Sequence, residues 1–173
     1  DGSKVYDGAA LSTTATTNVT EGTTIEYKVG AGEWTATAPS ITDVGSVTVS
    51  VRATNPNYTT ATDSYTLAVT PKAVTVTAND KTKVYGETDP ALDAAVTGLL
   101  GSDTVDYALN REPGNDVGTY TITPSGAATQ GNYAVTYATG TLTITAANTL
   151  TVTGTDGSKV YDGAALSTTA TTN

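Results

Sequence analysis

The chain has 173 residues and a net charge of −9, and it contains no Cys, Met, His or Phe. Without Cys there can be no disulfides or thiolate metal sites. Without His the commonest general base and transition-metal ligand are missing, and a Ser-His-Asp triad cannot be built. The acidic balance offers no basic face for nucleic acid and disfavours an anionic membrane surface, and no apolar run reaches membrane-spanning length.

In chain order, residues 1–18 read DGSKVYDGAALSTTATTN, with a Lys-Val-Tyr motif at Tyr6 and an Asp-Gly turn behind it. IEYKVGAGEWTA predicts a hairpin around Gly30 and Gly32, with Trp34, the single Trp, just after it. Ser46–Val51 alternates strictly, and Asn55-Pro56-Asn57 is a turn leading through Tyr58 into a Thr-rich closing strand. Pro71 fixes φ at a joint and biases Thr70 toward extended backbone. Thr75-Val76-Thr77 opens the next strand, followed by a second Lys-Val-Tyr motif at Tyr85. Gly98–Asp103 is the one stretch predicted helical, a single turn capped by Ser102 or Asp103. A turn at Pro113–Asp116, alternation over Thr119–Thr123, a Gly131-Asn132 turn before Tyr133 and alternation over Thr141–Thr145 follow. Thr149–Thr153 alternates again.

This period of two places Val, Ile, Leu and Tyr on one face and Thr on the other. Thr suits the wet face because its β-branch favours extended backbone and its hydroxyl meets water. The pattern predicts an all-β chain with at most one short helix, built as tandem small β-sandwich modules set end to end.

Residues 156–173 repeat residues 1–18 without a change. Identity at a fixed offset marks an array. A fainter repeat lies inside it: DVGSVTVSV (43–51) echoes DVGTYTITP (116–124), and the stretch from Asn55 echoes that from Gln130. The division expected is a module A over 1–71, a module B over 72–147, and the opening of another module A over 148–173. Module B opens with a strand, Ala73–Ala78, ahead of its Lys-Val-Tyr, and the tail has its counterpart in Leu150–Gly154. Residues 1–71 show no such strand, so this module is either incomplete or completed by another molecule's tail, because an unpaired edge recruits partners.

Tyr6, Tyr85 and Tyr161 in the Lys-Val-Tyr motif, and Tyr58 and Tyr133 after Asn, are read as structural motif residues, packed aromatics at corners and turns, with Pro71 as the junction residue. Trp34 is expected to be packed or semi-buried in module A; exposed, it would be the one glycan contact, stacking on a sugar ring. No catalytic, cofactor-binding or metal residues are assigned. Asp1, Asp7, Asp80, Asp89, Asp156 and Asp162 gather near module openings, which leaves calcium as the only cofactor considered, although no DxDxDG-type loop is present. Lys4, Lys28, Lys72, Lys83 and Lys159 are the lysines from which an intramolecular isopeptide bond would have to start.

Module B, with KVYGETDPAL, VTGLLGSDTV, LNREPGNDVGTY and NYAVTYATGTLTIT, resembles the MBG domain of YGX type, a mucin-binding β-grasp module found in tandem in large bacterial surface proteins. Module A, with KVYDG, IEYKVGAGEW, DVGSVTVSV and NPNY, is similar to the Ig-like or YDG-type repeats of bacterial adhesins. The resemblance implies β-grasp-like extracellular modules of a secreted adhesin, with signal and anchor elsewhere in a longer precursor. Three functions follow as expectations: a stalk or fibre repeat without enzymatic activity, weak glycan or mucin binding amplified by repetition, or assembly of chains by donation of the C-terminal strand. The partners expected are neighbouring repeats or neighbouring chains, and mucin or glycans under the second reading; nucleic acid and membrane insertion of this segment are not expected.

Overall fold

The protein's structure, a computed structural model, describes residues 1–148, 150–154 and 156–167, and the backbone of 170–172. Every regular element among the described residues is a β-strand. The first six are β1 (Gly2–Val5), β2 (Leu11–Ser12), β3 (Thr24–Val29), β4 (Ser40–Ile41), β5 (Gly45–Asn55) and β6 (Tyr58–Thr70). They make one sheet in the order β1-β6-β5-β3 and a small β2-β4 pair. β5 and β6 form a long antiparallel hairpin around Pro56, where the Asn57 N–H donates to the Asn55 side-chain oxygen over 3.0 Å. β1 runs parallel to the end of β6, from Gly2↔Leu67 to Val5↔Thr70. Alternation buries Val49, Val51, Leu67 and Tyr27, and Leu11, Ala15, Ile41 and Tyr65 close the cluster around them.

The next eight strands are β7 (Lys72–Ala78), β8 (Lys81–Val84), β9 (Ala94–Thr97), β10 (Ala108–Arg111), β11 (Gly118–Ser125), β12 (Thr129–Gln130), β13 (Tyr133–Ala138) and β14 (Gly140–Thr145). They form two four-stranded sheets, β12-β13-β7-β9 and β10-β11-β14-β8. β7 and β8 together run parallel to β13 and β14, so both strand pairs pass from one sheet to the other at the same level. Gly140 sits at that crossing. A Cβ there would lie 2.4 Å from the Ala78 carbonyl oxygen, so only glycine lets the backbones approach this closely. Val74, Val76, Tyr133 and Val135 fill one core, and Ala78, Ile122, Leu142 and Ile144 the other. Burying a Val, Leu or Ile side chain contributes about 1.5–3 kcal/mol, so these few residues dominate the stability of units this small.

The internal repeat is visible in three dimensions. The parallel pairing of β1 with β6, from Gly2↔Leu67 onward, has its counterpart in that of β8 with β14, from Lys81↔Leu142 onward. Tyr58–Thr70 is one unbroken strand where its counterpart is split into β13 and β14 at Thr139.

The helical turn expected at Gly98–Asp103 is a β-turn instead, closed by the Asp103 N–H donating to the Leu100 carbonyl over 2.9 Å. Gly98 at φ +98° and Gly101 at φ +52° interrupt any right-handed run. Asp103 accepts the Tyr133 hydroxyl rather than capping a helix.

Beyond residue 148, β15 (Val152–Gly154) pairs antiparallel with β16 (Ala170–Thr172). Leu150, Val152, Val160 and Tyr161 are exposed, Tyr161 by 92%. Thr149 of the alternating run, together with Thr155, Thr168, Thr169 and Asn173, lies outside the described residues.

Candidate functional site at the junction of the modules

β6 passes into β7 across Pro71 alone. Proline has no N–H to place in a ladder and holds φ near −65°. Extended strands therefore meet at this joint with one residue between them. Three groups converge on it.

The first is Tyr6. Its N–H donates to the Thr70 carbonyl over 2.9 Å, which carries the β1–β6 ladder one residue past β1. Its half-buried ring then meets Tyr133 edge-on, with centroids 5.7 Å apart and planes at 86°, against the core of Val74, Val76 and Val135. Edge-to-face pairs of this kind contribute about 0.5–1.5 kcal/mol beyond area burial. The second is Tyr133, whose hydroxyl donates to Asp103 and accepts the Leu100 N–H over 3.2 Å. Burial, and then the bond to the Asp103 carboxylate, push the Tyr133 phenol above its ordinary range, because both disfavour a phenolate.

The third is Asn132, in the turn ahead of β13. Its side-chain oxygen accepts the Val44 N–H over 2.7 Å, its amide donates to the Asp43 carboxylate over 2.9 Å, and its own carbonyl accepts the Lys72 N–H over 3.0 Å. The Asn132 side chain thus ties the Asp43-Val44 loop to the β12–β13 turn, and its main chain ties that turn to the start of β7.

Tyr58, Tyr85 and Tyr161 are not brought into a pair of this kind among the described residues. The Tyr85 N–H donates to the Thr145 carbonyl over 2.8 Å, as Tyr6 does to Thr70, yet its ring is 51% exposed. Tyr58, the counterpart of Tyr133, is 61% exposed. Trp34 is half-buried outside the core of module A. Lys28 and Arg52 stand over its ring at 4.9 and 4.5 Å, and Arg52 also pairs with Glu26 across β3 and β5 over 2.7 Å.

The YGX and NREPG segments meet in a knot of charge. Buried Lys83 donates to Asp89 over 2.7 Å and to the Glu87 carbonyl over 3.1 Å. Arg111 donates to the other Asp89 oxygen over 2.6 Å and to the carbonyls of Glu112 and Gly114. The bonds from Lys83 and then Arg111 hold the Asp89 carboxyl below its ordinary range. Asp7, Asp80 and Asp162, also near module openings, are held by neighbours within the protein. Lys4 bonds to Asp7, the Thr141 N–H and hydroxyl bond to Asp80, and Lys159 bonds to Asp162, each lowering the carboxyl. Among the described residues no three acidic side chains converge as metal ligands, and no helix is long and apolar enough to cross a membrane.

The Asn132–Asp43 clamp and the Lys83–Asp89–Arg111 knot went unread in the sequence. The available signal was recurrence. Asp-Val-Gly occurs at 43–45 and 116–118, and Asn-Tyr at 57–58 and 132–133, so a loop of one module and a turn of the next were candidates to meet.

Small β-sandwich units passed strand to strand through a clamped joint form a repeat-type arrangement. Residues 74–143, from within β7 to within β14, match the MBG domain (YGX type). No curated protein matches the chain. MBG domains are typical of cell-surface proteins.

Proposed function

We propose that this chain is a force-carrying segment of the stalk or fibre of a secreted bacterial adhesin, extending a binding tip or forming extracellular filaments rather than acting on a substrate. The observation that carries the reading is strand direction. Parallel pairing sets the start of β1 and the end of β6 at opposite ends of one ladder, and β8 with β14 does the same in module B. Tension applied along the chain would therefore shear these ladders along their length, with all their hydrogen bonds loaded together. An antiparallel pair pulled from its open end would instead lose its bonds one at a time. The one-residue joint at Pro71 and the Asn132 clamp favour transmission of force from one module to the next.

Single-molecule pulling tests this. Forced unfolding reports the rate of barrier crossing. Two discrete unfolding events are expected, one for each module, each preceded by a steep rise in force. Smooth extension at low force, without separate events, would refute the mechanical reading.

A further inference from the structure

Tyr27, Val49, Val51 and Leu67 of module A belong to its core, so alternation along β3, β5 and β6 sends the residues between them to the outer face of the sheet. Register sets those residues in rows. Lys28, Ser50 and Ser64 are cross-strand partners in one row, and Glu26, Arg52 and Thr62 in the next. Trp34 lies beside them. Backbone bonds of 2.7 and 2.9 Å between Tyr27 and Thr35 hold the segment after the hairpin along the edge of β3. The indole then carries the Lys28 ammonium at 4.9 Å and the Arg52 guanidinium at 4.5 Å from its centroid.

Neither cation is saturated. Among the described residues the Lys28 ammonium takes part in no ion pair. Arg52 donates through Nε to Glu26 over 2.7 Å, and its two terminal nitrogens keep their donors. The indole fixes both heads, so less rotamer freedom is lost when they engage a ligand. Beside them opens a groove of about 450 Å³, lined by Lys28, Trp34, Ser50, Thr62 and Ser64. Asp63 also borders it, but it alternates with Tyr65 and Leu67 on the opposite face of β6, and its carboxylate accepts the Ser64 N–H over 2.8 Å. The net charge of −9 does not close this face to anions. Carboxylates farther away than about 8 Å are largely screened at physiological ionic strength.

We propose that the outer face of module A is a binding site for an anionic polysaccharide. A carboxylate or sulfate on the sugar sits between the Lys28 ammonium and the free nitrogens of Arg52. Sugar hydroxyls exchange hydrogen bonds with Ser50, Thr62 and Ser64. Hydroxyls both donate and accept, so a row of them matches a ligand that is itself hydroxylated; an acidic peptide or a bare phosphate has no use for that row. Trp34 supports the two cations and does not serve as a platform for an uncharged sugar. The groove lies open across three strands, which suits a polymer chain, and a polymer can engage several modules at once.

The test uses the full chain and the emission of Trp34, its only Trp. The probes are a polygalacturonate oligomer, a dextran sulfate of similar length and plain dextran. At least one charged polymer should change the emission saturably, and the effect should weaken as ionic strength rises; which of the two acts tells carboxylate from sulfate. Plain dextran should change nothing. Lys28→Gln should weaken binding roughly tenfold, the loss of one charge-assisted hydrogen bond, while Lys28→Arg keeps it. Ser64→Lys adds a cation to the same row at an exposed position and should tighten binding. A gain of this kind cannot come from a damaged fold. Silence toward both charged polymers, an equal response to plain dextran, or no effect of either Lys28→Gln or Ser64→Lys overturns the proposal. These outcomes are independent of the pulling experiment, because the site uses outward side chains and not the sheared ladders.

Discussion

Leu67 and Leu142 occupy the same position in the two modules, each opposite the first residue of its Lys-Val-Tyr strand and each with 0% exposure. Truncating either to Ala removes a buried isobutyl group and leaves a cavity, at a cost of about 2–5 kcal/mol. A unit of this size has about 4–11 kcal/mol of stability in all, so the loss is a large share of it. With the small unfolding entropy of such units, the midpoint falls by ~10–30 °C. The two leucines sit in different cores, Leu67 with Tyr27 and Val49, and Leu142 with Ile122 and Ile144. The damage should therefore stay local. Trp34 is the only Trp and lies in module A, so its fluorescence follows one module while calorimetry follows both. Leu67→Ala should lower the Trp34 midpoint and leave the second calorimetric transition within a few degrees of its original place. Leu142→Ala should do the reverse. If either substitution moves both transitions equally, the two halves share one cooperative core and the modular account is wrong.

Asn132→Ala leaves the Val44 N–H and the Asp43 carboxylate without their partner, at a cost of about 1–2 kcal/mol; both modules should stay folded, while scattering shows a broader spread of inter-module arrangements than in the unaltered chain. Gly140→Ala drives a methyl group into the Ala78 carbonyl and should cost module B ~1–3 kcal/mol or more, read by calorimetry with the Trp34 transition unmoved. Acid should act unequally. Asp80, Asp89 and Asp93 of module B are all held below the ordinary carboxyl range, by Thr141, by Lys83 and Arg111, and by Lys81 and Asn79, and in module A Asp7 is so held, by Lys4. A lowered folded-state value contributes stability that is full above the unfolded value of about 3.9 and is lost as pH falls through the folded one. Between about pH 5 and pH 2 the module B transition should thus fall further than that of Trp34; an equal fall would remove these carboxylates as the cause.

Local pattern carried much of this structure. Alternation of Thr with Val, Ile and Leu placed β5, β7, β11 and β14, because a side-chain period of two is written residue by residue and does not depend on which strand becomes the neighbour. The KVYGETDPAL and NDVGTY segments were enough to mark the stretch that matches the MBG domain. The helical turn at Gly98–Asp103 was misread for a local reason, since capping residues were weighed above two glycines that take positive φ.

What the linear pattern could not contain is pairing across distance. The sequence by itself determined that the chain is all-β, repetitive and without the side chains that histidine or thiol chemistry requires. Only the tertiary structure decided that the Lys-Val-Tyr strands run parallel to the closing strands. It alone decided that Tyr6 leaves its own strand's sheet to pack on Tyr133 and that Asn132 reaches Asp43. The physical reason is that strand direction, register and junction contacts are settled by the packing of side chains far apart in sequence. Two Tyr residues in the same motif can therefore be buried at one joint and exposed at the next.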